Sequence, residues 1–335
     1  MGVRPLLAAV AAATLCIATQ QPVEARSFVA KDTIDPPAGR SAAVQQRIDR
    51  FRYDAAEFEV RTTPSEGSAF DTVVRFASPV QRGEPAYDDV VLEWRRARRN
   101  GVLLEESAHA VVVIHSVQPQ LVVGRSLAYQ LSQRGVHALV MHLPGYGGRL
   151  PQGELWTPVA AIERGEQAVS DARRAYDAAA ALPGIDADRV SLMGISLGGF
   201  VAASVGALEP EVWRRVWLVA SGAEIASVLA DGERDAARVA RWLTRAGYTG
   251  EALREIIEPL DPAPLLHRLQ PRRTHLIRPS FDRVIPAVSY ETLIEEARLP
   301  DANVHKLPAN HYTWLLLMPR VLDEVLQTVG DEPTP

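Results

Sequence analysis

Residues 190–200 read Val190-Ser191-Leu192-Met193-Gly194-Ile195-Ser196-Leu197-Gly198-Gly199-Phe200. Four mostly apolar residues lead into Gly-Ile-Ser-Leu-Gly, and a small, Ala-rich run from Val201 to Leu208 follows. A short apolar run ended by glycine fits a buried strand, and the longer run beyond it fits a helix. The stretch therefore reads as strand, sharp turn and helix, with Ser196 at the turn. A serine held there is pushed out at the carboxyl edge of a sheet. Gly194 and Gly198 lack a Cβ, so neighbouring backbone can pass close to the turn. The first amides of the helix have no partner within it and point toward the serine, where they would meet charge developing on a reacting oxygen.

Gly-x-Ser-x-Gly between a strand and a helix is the nucleophile-elbow pattern, and this segment resembles the elbow of the α/β-hydrolase superfamily. The resemblance implies an α/β fold: a mostly parallel central sheet flanked by helices, with a small helical cap. It also implies a serine nucleophile followed in the chain by an acid and then a histidine. A serine hydroxyl needs a base to remove its proton as it attacks, and the base needs an acid to orient it. Phe281-Asp282-Arg283-Val284-Ile285-Pro286 follows an apolar run at Thr274–Ile277 and is similar to the family's acid loop. Ala309-Asn310-His311-Tyr312 follows the last short strand and is similar to its Gly-His motif. Asn310 stands where the family has glycine, and asparagine tolerates left-handed backbone. The implied triad is Ser196, Asp282 and His311. Glu224, just past the apolar run at Val216–Ala220, is the rival acid.

The oxyanion hole needs two amide donors. Leu197, after the nucleophile, supplies one. His115-Ser116-Val117-Gln118 resembles the family's His-Gly-x segment with serine for glycine, which makes Val117 the second donor and Gln118 its runner-up. Leu143-Pro144-Gly145-Tyr146-Gly147-Gly148 is similar to the family's Pro-Gly-x-Gly loop and reads as a tight turn. Phosphate binding is excluded there, since neither a Walker lysine nor Gly-x-Gly-x-x-Gly is present. His142, Tyr146 and Trp156 are candidates for the pocket wall. The remaining histidines, His109, His137, His267, His275 and His305, read as surface or strand-end residues.

Working outward, Phe70–Phe76 and Val90–Trp94 read as an antiparallel leading pair, and Ala110–Ile114 as a strand buried on both faces. Helices over Leu121–Gln133 and Ala160–Leu182 alternate with strands at Ala138–Met141 and at the elbow. Such alternation implies right-handed βαβ units. It lapses after Ser221. Residues 222–265 are helical and charged and read as the cap. It resumes with a strand at Thr274–Ile277, a helix at Ala287–Ala297, a strand at Asn303–Leu307 and a helix at Trp314–Val329. The hydrolase domain thus runs over residues 70–330. Residues 26–69, rich in Pro, Ala and charge, read as a spacer or pre-domain wrap, with a helix somewhere in Ala42–Phe58.

A chain of 335 residues has material for one large domain with extras. Its formal net charge of -5 gives no case for nucleic acid. The run Arg95, Arg96, Arg98 and Arg99 reads as a solvated strand end. At the amino terminus, Arg4, the uncharged run Leu6–Ala18 and Val23-Glu24-Ala25 form a signal-peptide pattern over residues 1–25. The run is shorter than the roughly 20 residues a spanning helix needs. The expectation is a secreted or periplasmic protein, held at a membrane only if that segment stays uncleaved. Cys16 is the single cysteine, so cleavage leaves none and excludes disulfides, a cysteine nucleophile and thiolate metal sites. No metal cluster stands out, and the chemistry requires no cofactor. The expected function is cleavage of small carboxylic esters through an acyl-enzyme on Ser196, with peptide or amide cleavage, or a non-catalytic binding protein that keeps the scaffold, as the alternatives. Oligomeric state and the choice between ester and peptide are not legible in the sequence.

Overall fold

The computed structural model describes residues 25–65, 70–117, 121–151 and 156–330. The expected signal peptide, up to residue 24, and Gln118 lie outside the described residues. Among the described residues no helix is long and apolar enough to cross a membrane.

The chain begins with β1 (Arg26–Lys31), α1 (Ala42–Arg50) and β2 (Glu57–Pro64). Next come β3 (Thr72–Ala77), α2 (Pro85–Asp88), β4 (Asp89–Arg95) and a ribbon of β5 (Arg98–Arg99) with β6 (Val102–Leu103). Alternation then sets in with β7 (Ala108–Ile114), α3 (Val122–Ser132), β8 (His137–Met141), α4 (Pro158–Ala180), β9 (Ile185–Ile195), α5 (Leu197–Leu208) and β10 (Val216–Val219). After an excursion through α6 (Ile225–Asp231), α7 (Asp235–Arg245) and α8 (Gly250–Ile257), it resumes with β11 (Thr274–Pro279), α9 (Ala287–Glu296), β12 (Val304–Leu307) and α10 (Met318–Gly330).

Apart from the β5–β6 ribbon, the described strands form one large sheet in the order β1-β2-β3-β4-β8-β7-β9-β10-β11-β12. From β8 to β12 neighbours are parallel; from β1 to β8 they are antiparallel. This is the α/β-hydrolase fold. Both faces of the parallel half are covered, which is why β7 is apolar along its length. Its residues divide with the period of two that a strand imposes. Ala110, Val112 and Ile114 pack on the face covered by α4 and α5, while Val111 and Val113 pack on the face covered by α3 and α10.

Residues 26–65 are more than a spacer or a wrap around the domain. They contribute two strands to the sheet itself, and buried charge on α4 holds them in place. Arg174 Nε donates to Asp32 Oδ1 at 2.9 Å, Asp177 accepts the Thr33 N–H at 3.1 Å, and Arg173 donates to the Phe51 carbonyl. The arginine run is also not simply solvated, since Arg98 is buried against Asp71.

Candidate active site

Ser196 joins β9 to α5 with φ 52° and ψ -114°. Positive φ is costly for a residue with a Cβ and persists only where the surroundings fix it. Here the Ser196 N–H donates to the Val219 carbonyl at 2.8 Å, and its own carbonyl accepts the Gly199 N–H at 2.8 Å. Two residues on, a Cβ at Gly198 would lie 2.3 Å from the Ile114 carbonyl oxygen. Glycine there lets α5 start directly against the end of β7.

His311 and Asp282 arrive from the carboxyl ends of β12 and β11. His311 Nε2 lies 3.0 Å from Ser196 Oγ, and His311 Nδ1 lies 2.7 Å from Asp282 Oδ2. The Asp282 side chain is only 1% exposed, yet both its oxygens are satisfied. Oδ1 accepts the N–H groups of Val284 at 2.9 Å and Ile285 at 3.0 Å, and Oδ2 also accepts the Tyr290 hydroxyl at 2.6 Å. A carboxylate can only accept, so Nδ1 carries the ring proton and Nε2 is free to accept from Ser196. Tyr290 stays a donor because burial, and then Asp282 itself, push its phenol well above the usual range.

Asn310 is not left-handed. Its Oδ1 accepts the N–H groups of Tyr312 and Thr313, each at 2.9 Å, and its N–H donates to Thr313 Oγ1 at 2.9 Å. A side-chain cap thus shapes the histidine turn in place of glycine's conformational freedom. Glu224 is not placed to serve as the acid. Its carboxylate faces Thr292 Oγ1 at 3.2 Å and Ser227 Oγ at 3.4 Å.

Beside Ser196 opens a cavity of about 570 Å³, bordered by Leu197, Val117, Tyr146 and Trp156. Its walls are largely hydrocarbon, from Ala161, Ile162 and Val169 on α4, Phe200 and Val201 on α5, and Val228, Leu229, Trp242 and Leu243 in the excursion. Trp156 folds over Gly145, where a Cβ would lie 2.6 Å from the indole. His142 does not line this cavity. It is turned inward, accepting the Gly148 N–H at 2.8 Å, with Nε2 3.2 Å from Glu93 Oε1. His115 lies beneath the loop that carries Val117. Its Nε2 accepts the Leu143 N–H at 3.1 Å, and burial lowers its pKa to about 4.

His109, His137 and His275 lie at the starts of β7, β8 and β11, strand-end positions that are buried rather than at the surface. Burial lowers them to about 3, 4 and 3 respectively. A smaller hollow of about 340 Å³, walled by Thr33, Tyr176, Glu211 and Arg273, contains none of the candidate residues. Among the described residues no group of three His, Cys, Asp or Glu side chains is placed to hold a metal ion.

The excursion forms a cap with a small core of its own, Leu229, Leu243 and Ile257, flanked by Trp242 and Tyr248. Its α6–α7 corner is tied to both catalytic-edge loops. The Glu233 N–H donates to the Arg283 carbonyl at 2.7 Å, and Asp235 Oδ2 accepts the Tyr312 hydroxyl at 3.0 Å.

The model of the prolyl oligopeptidase family matches residues 124–305, more than half of the chain. The chain belongs to the prolyl oligopeptidase family. The matched span of this prolyl oligopeptidase family member includes Ser196 and Asp282 and ends just before His311. Among solved structures, an acetyl xylan esterase from Paenibacillus sp. R4 is similar with a TM-score of 0.58 at 13% identity, over 88% of this chain and 96% of that one. A puromycin-hydrolyzing peptidase from Mycobacterium tuberculosis is similar with a TM-score of 0.54 at 15% identity, over 83% of this chain and 46% of that one. The chain therefore spans less than half the length of that peptidase. No curated protein matches it in sequence. At these identities the structural likenesses establish the fold, and the family establishes a serine hydrolase.

Sequence reasoning missed Tyr290, Asp235 and the roles of Asn310 and Glu93. Tyr290 lies one helical turn into α9, and no local pattern connects it to an acid eight residues earlier.

Proposed function

We propose that this prolyl oligopeptidase family member cleaves carboxylic esters carrying an apolar acyl group, through an acyl-enzyme on Ser196. The supporting observation is the cavity at Ser196 Oγ, whose wall offers hydrocarbon and few hydrogen-bonding groups. A peptide in such a cleft would bury amides without partners, which is costly. An acyl chain has no such requirement.

In this mechanism His311 Nε2 takes the Ser196 proton as Oγ bonds to the ester carbon. The carbonyl oxygen gains negative charge and is met by the N–H groups of Leu197 and Val117. Asp282 holds His311 in the required tautomer and stabilises the imidazolium. Collapse of the tetrahedral species breaks the bond to the alcohol oxygen, which leaves with the proton from His311. Water then attacks the acyl-enzyme with His311 again as base, releasing the acid and restoring Ser196.

The family match favours a second reading, peptide or amide cleavage at the same serine. The experiment that decides is fluorophosphonate labelling of the protein and of Ser196→Ala, with a panel of aryl esters and aminoacyl anilides. Labelling and ester turnover that both vanish in the variant support the proposal; anilide turnover without ester turnover selects the peptidase. The extracytoplasmic location rests on the pattern of residues 1–25, and the mass of the mature protein tests it.

A further inference from the structure

The outer face of α7 carries a stripe of arginine. Arg234 at its N-cap is followed by Arg238, Arg241 and Arg245, spacings of four, three and four that keep them on one side of a helix. All four are exposed, while Ala236 and Leu243 on the opposite side are buried. Helix stability accounts for Arg245 alone, a cation in the last turn where it meets the helix dipole. Arg234 and Arg238, Arg238 and Arg241, and Arg241 and Arg245 are like charges one turn apart, an arrangement that weakens a helix. The acid of this helix, Asp235, points to Arg238 and the Tyr312 hydroxyl. Neither Arg241 nor Arg245 has an acidic neighbour at three or four residues, and neither forms an ion pair among the described residues. This cationic strip stands out on a chain whose net charge is -5.

Of the four arginines, Arg238 lines the cavity and Arg234, Arg241 and Arg245 do not. Arg238 borders the cavity, as do the half-exposed apolar side chains of Val117, Trp156 and Val239. Cations beside exposed apolar groups match the interface of an anionic bilayer, where phosphates meet hydrocarbon. A soluble acidic polymer would satisfy the arginines and leave the apolar rim unused.

We propose that the outer face of α7 docks on anionic lipid surfaces, with the phosphates between the arginines, and so presents the cavity mouth to ester lipids in the bilayer. The proposal rests on the ester reading for the origin of the substrate; the docking itself is measured without turnover. Arg241→Glu/Arg245→Glu removes two cations that lie outside the cavity. Each basic residue near an anionic surface contributes about five-fold in binding. The double variant should therefore bind vesicles of phosphatidylglycerol and phosphatidylcholine at least about 25-fold more weakly than the parent protein with the same N-terminus. Parent binding should exceed that to phosphatidylcholine alone and fall with salt. Hydrolysis of a soluble short-chain aryl ester should be unchanged in the variant.

Equal binding of the two proteins to the anionic vesicles would overturn the proposal, as would binding to heparin with none to vesicles. If neither protein hydrolyses the soluble ester, the ester reading fails instead, and the vesicle result still decides the docking.

Discussion

Replacing Asp282 with asparagine is a test of how the loop's amides govern the histidine. The Val284 and Ile285 N–H groups both point at Oδ1, at 2.9 and 3.0 Å. Both are donors, so the amide oxygen of the introduced side chain must take that site and its NH2 must take the Oδ2 site. There it faces His311 Nδ1, which now has to accept rather than donate. The ring proton moves to Nε2, 3.0 Å from Ser196 Oγ, and the serine loses its base. A comparable loss of tautomer control in a serine protease triad lowers kcat about 10⁴-fold, or roughly 5.5 kcal/mol of transition-state stabilisation. We expect Asp282→Asn to lower kcat on a soluble aryl ester by that order. It should slow fluorophosphonate labelling in parallel and leave a folded protein by circular dichroism. A folded variant retaining kcat within tenfold of the parent would show that His311 does not depend on Asp282, and the argument from the two amides would be wrong.

Tyr290→Phe removes a 2.6 Å bond to a buried carboxylate that keeps its other three donors. Stability should fall by about 1.5–3 kcal/mol, and an unchanged Tm would refute a stabilising role. Ala161→Trp would place an indole in the cavity. It should spare acetate esters and lower kcat/KM for longer acyl esters by about four-fold for each methylene excluded; an unaltered chain-length profile would remove α4 from the acyl site. His109, His115, His137 and His275 are held near 3 to 4 by burial, so the unfolded chain takes up protons first as pH falls. Their contribution is fully present above about pH 6.5 and is lost as pH falls toward 4, up to roughly 2 kcal/mol each by pH 5. The urea midpoint should drop between pH 7.5 and 5, and a flat profile would mean that these side chains become solvated before the fold gives way.

Much of this was legible in the chain because the signals are local. Residues 190–200 carry a complete strand-turn-helix pattern, and the turn forces Ser196 to the sheet edge whatever lies elsewhere. The acid and histidine segments each follow a short apolar strand. Before residue 70 two strands went unread, although Phe58, Val60 and Thr62 alternate with Glu57, Glu59 and Arg61 as a half-buried strand should. Proline and charge around them hid the period. Buried arginines on α4 were unreadable for a different reason: their partners Asp32, Glu209 and the Phe51 carbonyl lie far away in sequence.

Fold class, the serine at the elbow and the order of serine, then acid, then histidine were all set in the linear chain. Backbone geometry and strand periodicity act over a few residues and leave their mark in spacing. Three-dimensional packing was needed to choose between Asp282 and Glu224, to turn His142 away from the cavity, to bring Tyr290 to the acid and to set the cap corner against both loops. Those outcomes depend on which side chains meet across the sheet edge, and such meetings are fixed by contacts between elements that the sequence order keeps apart.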